Sequence, residues 1–295
     1  MKRSWHHYVA FILNLPIIRS VTPAKWYLLM RYYERFHYMM DFKNPIRFNE
    51  KLQWLKIYNR KPEYTMWVDK FSVRKYISNK LGEEYLIPLV GGPWNSVEEI
   101  DFAQLPQQFV LKCTHDSAST IICTDKNKFD IVDACSKLRK CLKYNFYWYG
   151  REWPYKNVKP QIIAEQYMVD ESGTELKDYK IFCFSGEPKL IQVNLGRFAE
   201  TGPINNIYDC NWKYMPIKCH YPTNPHIKIE KPQELSKMLD FARILSKDQP
   251  FLRVDFYSIN EKIYFGELTF FPASGFSDYE PDEWNDRLGS WVKLP

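Results

Sequence analysis

The spacing of apolar residues along this chain changes character near residue 106. Before that point it is helical: in "TPAKWYLLMRYYERFHYMMDF", Leu28, Leu29, Tyr32, Tyr33, Phe36 and Met39/Met40 recur every three to four positions behind a Thr22-Pro23 start signal. "PIRFNEKLQWLKIYNR" predicts a second helix capped by Asn49, and "YTMWVDKFSVRKYISNKLG" a third that Gly82 ends. "YLIPLVGGPW" reads as a short buried strand entering a glycine-proline turn. After residue 106 the period shortens to two. "PQQFVLKCTHDSASTIICTD" predicts strands over Phe109–Cys113 and Thr120–Cys123 around a polar loop. "DIVDACSKLRKCLKYNF" predicts a helix, "PQIIAEQYM" a strand, and "LKDYKIFCFSGEPKLIQVNLG" a hairpin turning at Ser-Gly-Glu-Pro. "QELSKMLDFARILSK" predicts an amphipathic helix with Leu235, Met238, Leu239, Ala242 and Leu245 on its buried side. Helices first and strands afterwards, without repeats, predict an α+β fold.

Composition narrows the class. With 295 residues, 45% of them hydrophobic and 17% aromatic, there is material for a sizeable core, and disorder is excluded. "YVAFILNLPII" is too short to span a bilayer and no clean cleavage site follows it, so the expectation is a protein without signal peptide or membrane span. Seven cysteines without a CxxC pair read as reduced, buried thiols of a cytoplasmic protein, and the six histidines do not approach them at zinc-ligand spacing.

Charge is uneven. Residues 1–47 carry eight Lys/Arg against Glu34 and Asp41, which accounts for the whole net charge of +6. Such a basic, aromatic arm fits a membrane surface, an acidic polymer or a partner protein; equally it fits a solvated helix packed on its other side. The neutral remainder and the absence of any nucleic-acid-binding pattern argue against a nucleic-acid partner.

The most strand-like segment, "FLRVDFYSINEKIYFGELTFFPASG" (251–275), holds two carboxylates, Asp255 and Glu267, where an unpaired charge costs several kcal/mol. Alternation puts Arg253 and Asp255 on one face and Glu267 with Thr269 on one face. A three-residue loop, Asn260-Glu261-Lys262, would set Asp255 opposite Glu267, whereas a two-residue loop would set Gly266 there; the odd loop is the expectation. Facing carboxylates with a hydroxyl nearby suit Mg²⁺, and the alternative is that each pairs with a cation such as Arg253. Lys112 interrupts the apolar run "FVLKC", and Lys180 shares a face with Asp178 and Phe182 in "DYKIFCF". Two inward lysines and a carboxylate pair are the charge complement of a metal-bound nucleoside triphosphate.

In their order, "FNEKLQWLK", "DKFSVRKYI", "YLIPLVGG", "LPQQFVLK", "IIAEQYM", "DYKIFCFSGEP" and "RVDFYSINEKIYFGELTFFPASGF" resemble the ATP-grasp superfamily, in its branch similar to teichuronopeptide-biosynthesis (TupA-like) proteins, across roughly residues 40–295. The resemblance implies two α+β subdomains clasping ATP (106–164 and 165–295, the second with the metal site), preceded by the arm (1–47) and a helical/αβ region (48–105). It also assigns roles. Lys112 and Lys180 would reach the phosphates, with Asp178 beside Lys180; Glu165, Gln166, Tyr167 and Met168 would form the adenine hinge. Asp255, Glu267 and Thr269 would hold Mg²⁺, with Thr269 in place of the usual asparagine, and Arg253 would neutralise the developing acyl phosphate. The phosphate loop "THDSAST" lacks glycine, leaving His115, Ser117, Ser119 and Thr120 to meet phosphate.

The activity implied is ligation of a carboxylate to an amine through an acyl phosphate, on a uronic acid of a bacterial surface polysaccharide with an amino acid or small amine. Three aromatic stretches, "YNFYWYGREWPY", "NIYDCNWKYMP" and "FFPASGFSDYEPDEW", are candidate sugar platforms or plain core filling, and Arg151, Arg197 and Lys213 are candidate uronate contacts. A sugar-nucleotide glycosyltransferase is the alternative, although no Asp-x-Asp motif occurs; a non-catalytic nucleotide- or glycan-binding protein is a third reading.

Overall fold

The computed structural model describes residues 15–117, 119–170, 173, 176–196 and 202–295. The chain runs α1 (Pro16–Val21), α2 (Ala24–Phe36), α3 (Phe48–Tyr58), α4 (Glu63–Val68), α5 (Val73–Lys80), β1 (Leu89–Trp94), β2 (Phe109–Cys113), β3 (Ile121–Cys123), α6 (Ile131–Leu142), α7 (Tyr147–Gly150) and β4 (Ile162–Gln166). It continues through β5 (Asp178–Phe184), β6 (Glu187–Leu195), β7 (Ile204–Asp209), β8 (Tyr214–Met215), β9 (Lys218–Cys219), α8 (Leu235–Ser246), β10 (Phe251–Ile259), β11 (Lys262–Thr269), β12 (Tyr279–Glu280) and α9 (Glu283–Trp291). Part of the basic arm, with Lys2 and Arg3, lies outside the described residues. None of the described helices is long and apolar enough to cross a membrane.

Two antiparallel sheets dominate. The smaller has strand order β1-β4-β2-β3 and the larger β11-β10-β5-β6-β7-β8. Phe109, Leu111 and Cys113 of β2 and Ile162 and Ala164 of β4 pack beneath α6, while Lys112 on the alternate face stays half-buried. The larger sheet packs on α8 through Leu235, Met238, Leu239, Ala242 and Leu245, the stripe the helical spacing predicts. Phe48, Leu52, Leu55, Tyr64, Trp67 and Ile77 of α3–α5 join that same core. The expected 48–105 unit is therefore divided: its helices belong to the larger sheet's core, whereas β1 pairs with β4 in the smaller sheet.

Three local expectations are corrected. Asn49 is inside α3, where its Nδ2 donates to Ser277 O; Glu50 accepts from the backbone N–H groups of Ile46 and Arg47 instead, tying down the helix start. The third helix is split at Asp69, whose Oδ1 accepts from Phe71 N and Ser72 N and so offers the chain an alternative to helix. The β10–β11 loop has two residues, Asn260 and Glu261, both in left-handed conformation, with Ile259 opposite Lys262. Asp255 nevertheless faces Glu267, because Gly266 bulges out of β11 and restores the register. A Cβ on Gly266 would lie 3.1 Å from Asp255 O, so a side chain at the bulge would press on the backbone of β10.

Candidate active site

The larger sheet lines up its charges across three strands. Lys180 on β5, Asp255 on β10 and Glu267 on β11 are direct neighbours, as are Arg253 and Thr269 one step along. Lys180 Nζ sits 2.7 Å from Asp255 Oδ2 and 2.8 Å from Asp178 Oδ2. Arg253 grips Asp255 with two nitrogens, and its Nη2 alone is 2.7 Å from Asp255 Oδ2, 2.7 Å from Glu267 Oε1 and 2.9 Å from Thr269 Oγ1. Burial pushes the Asp255 carboxyl up, against the pull of Arg253 and Lys180. Burial also raises Glu267, but Arg253, Lys180 and Lys70 outweigh it and hold that carboxyl down to about 2. Lys180 is destabilised as a cation by burial and more than compensated by Asp178 and Asp255, so it stays charged.

Opposite this cluster stands the smaller sheet. Lys112 Nζ lies 2.6 Å from Glu165 Oε2, and Arg74 Nη1 approaches Glu165 Oε1 at 3.5 Å. Lys112, Glu165, Ser117 and Thr120 share a cavity of about 260 Å³ with Asp178, Lys180, Asp255 and Glu267. The two lysines and the facing carboxylates thus line one space. Lys70 and Arg74 line it too and carried no role in the sequence reading, although both lie in "DKFSVRKYI"; their four-residue spacing on a helical segment was the available signal. Lys70 donates from Nζ to Cys113 O and Asp116 O and so anchors the glycine-free loop. Burial lowers its pKa.

Other expected contacts face elsewhere. His115 is buried, with Nε2 against Cys141 O and Tyr144 O at 3.1 and 3.0 Å, holding the loop to the end of α6. Ser119 Oγ accepts from Cys113 N and donates to Asp116 Oδ1, bracing the loop from within. Gln166 is exposed, its backbone N–H donates to Pro88 O, and together with Tyr167 it borders a separate cavity beside Gln108 and Thr124; Met168 is half-buried. Of the expected hinge, Glu165 alone lines the charged space. Arg151 is buried against the rings of Tyr27 and Trp148 and donates to Arg19 O and Thr22 O, so it secures α1 and is removed from the uronate candidates. Lys213 is exposed in the β7–β8 turn, and Arg197 lies outside the described residues.

A second cavity, of about 510 Å³, adjoins the first and shares Ser117, Lys180 and Glu267 with it. Arg253 and Thr269 border it, as do Phe146, Tyr149, Tyr155, Phe271 and Phe276 from two of the three aromatic stretches. The third stretch is core: Tyr208 and Trp212 stack at 4.5 Å and 7°. Arg31 and Arg35 of α2 complete the wall. The described part of the basic arm is packed on the body through Tyr27, Leu28 and Tyr32, and three of its arginines meet acids of the same chain: Arg31 with Glu34, Arg35 with Asp278, Arg47 with Asp282 and Asp286.

The donor set fits a hard divalent cation. Oxygens of Asp255, Glu267 and Thr269 converge on one point, and the group found there, Arg253 Nη2, is itself cationic. Among the described residues there is no cluster of three or more His, Cys, Asp or Glu side chains suited to a metal; an ion held here by one or two carboxylates would complete its shell with water and phosphate.

Comparison with known proteins adds the lineage. The family model described as TupA-like ATPgrasp matches residues 50–293. No curated protein matches the sequence. Among solved structures, a D-alanine-D-alanine ligase from Helicobacter pylori is similar with TM-score 0.43 at 13% identity, over 84% of this chain and 69% of that one. An L-amino acid ligase from Bacillus licheniformis gives TM-score 0.43 at 14% identity, over 77% of this chain and 47% of that one. A D-alanine-D-alanine ligase from Bacillus anthracis complexed with ATP gives 0.38 at 15% identity, over 70% and 55%.

Proposed function

The chain belongs to the TupA-like ATP-grasp family, and from that premise we propose that it is an ATP- and Mg²⁺-dependent carboxylate–amine ligase. Its proposed acceptor is the carboxyl group of a uronic acid in a bacterial capsular or cell-wall polysaccharide or its precursor, joined as an amide to an amino acid or small amine. One observation carries the reading: a cluster of oxygens gathered around a cation on one sheet faces a lysine–glutamate pair on the other, across a single charged space.

A carboxylate is a poor electrophile at neutral pH, and phosphorylation turns it into a mixed anhydride that an amine can attack. Lys112 and Lys180 are suited to neutralise phosphate oxygens during that transfer. Asp255, Glu267 and Thr269 would hold Mg²⁺, which supplies charge neutralisation on the transferring phosphoryl group. Arg253 borders both the metal-ligand cluster and the larger cavity, a position from which its guanidinium can hold the acceptor carboxylate in line. The larger cavity, walled by aromatic rings and by Arg31 and Arg35, has the chemistry of a site for an anionic sugar. Consumption of ATP makes the cytoplasm the proposed site of action, with any membrane contact left to the arm.

The test is release of ADP from Mg-ATP by the full chain in the presence of glucuronate or galacturonate and a panel of amino acids and amines, with the amide product identified by mass. Turnover that requires both co-substrates supports the ligase. Consumption of a UDP-sugar would instead point to a glycosyltransferase, and ATP binding without turnover to a non-catalytic nucleotide-binding protein.

A further inference from the structure

Within the larger cavity stands a buried carboxylate that nothing above has used. Glu152 follows α7 and lines the cavity together with Tyr155, Arg253 and Thr269. A carboxylate withdrawn from water in this way needs compensation. The charge nearest to hand is Lys56, itself fully buried, yet its ammonium is spent on other acceptors. Lys56 Nζ donates among Gln53 Oε1 at 3.0 Å, Gly150 O at 2.7 Å, Ser274 O at 2.8 Å and Ser274 Oγ at 3.0 Å, and three protons do not serve more. Lys56 therefore acts on Glu152 through space and holds the Ser274 hydroxyl, which favours the charged carboxylate. The result is a carboxylate fixed in place with acceptor capacity facing the cavity.

The surroundings are built to keep it so. Ala273 and Ser274 are both left-handed, at φ 45° and 54°, a conformation unfavourable for residues with a side chain. Lys56 and Gln53 hold that turn through Ser274 O and Gly275 O. A Cβ on Gly150 would lie 1.7 Å from Ser274 Oγ, so the serine reaches its place only because residue 150 is glycine. Burial raises the Glu152 pKa and lowers that of Lys56, in agreement with a carboxyl whose proton affinity is enhanced.

We propose that Glu152 is the receiving site for the amine co-substrate: it binds the incoming primary ammonium and takes its proton. The proposal rests on the ligase reading given above. In the step it assists, one ammonium proton passes to a Glu152 carboxylate oxygen and the freed nitrogen lone pair forms the C–N bond to the acyl carbon. The C–O bond to the phosphoryl group then breaks with its electron pair on phosphate, and the leaving phosphate takes a second proton from nitrogen. Lys56 and Ser274 are positioning residues for that carboxylate.

The experiment compares two nucleophiles. Alkyl amines and amino acids are protonated at pH 7.5, whereas hydroxylamine is already uncharged and needs no base. Glu152→Gln is expected to lower ligation of a protonated amine about 100-fold or more, the range for loss of a general base, and to leave ATP-dependent hydroxamate formation within about threefold of wild type. Equal loss with both nucleophiles, or loss with neither, overturns the proposal. Glu152→Asp, which keeps the carboxylate, is expected to retain more amine turnover than Glu152→Gln, and an aspartate no better than glutamine counts against it as well. Wild-type protein that forms no hydroxamate from any uronic acid would instead remove the ligase reading before the variants are compared.

Discussion

The two adjoining cavities are made in different ways. In the smaller one the charges cancel in pairs: Lys112 with Glu165, Lys180 with Asp178 and Asp255, Arg253 with Asp255 and Glu267. Every one of these residues sits on a regular strand, and neighbouring strands bring them to within hydrogen-bonding distance. In the larger one the wall is drawn from α2, the α7 region, β5, β6, β10, β11 and the turn after it, and its features are aromatic rings, arginines and the buried Glu152. The difference teaches how one site can serve two kinds of ligand. A strand-borne set of paired charges is rigid and, under the proposed function, suited to the triphosphate and metal, while a wall that adds loops and a packed-on helix to its strands offers positions that can be tailored to the proposed acceptor.

The comparison is broken most severely at the carboxylate cluster of the smaller cavity. Asp255→Asn is expected to lower Mg-dependent ADP release by about 1000-fold, as for loss of a principal electrostatic group. The fold should persist, because Arg253 keeps Glu267 and Lys180 keeps Asp178 as partners. Unchanged turnover would show that the metal is held elsewhere. The next effect separates the cavities: Lys112→Met should weaken ATP binding about 10- to 100-fold by calorimetry and leave the KM for the acceptor unaltered. The converse pair, Arg31→Ala with Arg35→Ala, should raise the acceptor KM about three- to tenfold and leave ATP affinity unaltered, a modest change since both arginines are partly solvated. If instead both substitutions disturb both ligands, the two cavities act as one.

The smallest effect is on acid stability. The Glu267 carboxyl is held to about 2, below its ordinary value near 4.3, so its charge stabilises the fold fully above about pH 4.3 and is lost as pH falls toward 2. In metal-free protein, Glu267→Gln should therefore be less stable than wild type at neutral pH, with the gap closing between those limits. Denaturant titration should find that gap below about 1 kcal/mol, because 40% of the side chain is exposed and screened by solvent. A gap that widens on acidification would reverse the assigned charge.

Much of the smaller cavity was legible in advance because strands repeat every two residues. A lysine inside "FVLKC", or an aspartate and a lysine two apart in "DYKIFCF", declares which face it takes, and Lys112, Asp178, Lys180, Asp255 and Glu267 all line the expected space. The β10–β11 register came out as expected for a different reason: the loop is shorter than the spacing suggested, and the Gly266 bulge supplies the missing residue. Loop residues carry no period, so the sequence offers His115 and Ser119 as phosphate contacts; their partners, at Cys141, Tyr144 and Asp116, become visible only when the loop is folded against α6. Lys56 and Glu152 gave no signal at all. They are 96 positions apart and come together where Lys56 donates to Gly150 and Ser274.

By itself, then, the sequence determined the succession of helices and strands, the face on which each strand-borne charge lies and the hard-oxygen character of the cluster, since these follow from local spacing and side-chain chemistry. The tertiary structure alone decided which helices join which sheet, that α2 of the basic arm walls the larger cavity, and that a lysine and a glutamate from distant segments share one buried turn. Contacts of that kind depend on packing between segments remote along the chain, and no periodicity within a segment records them.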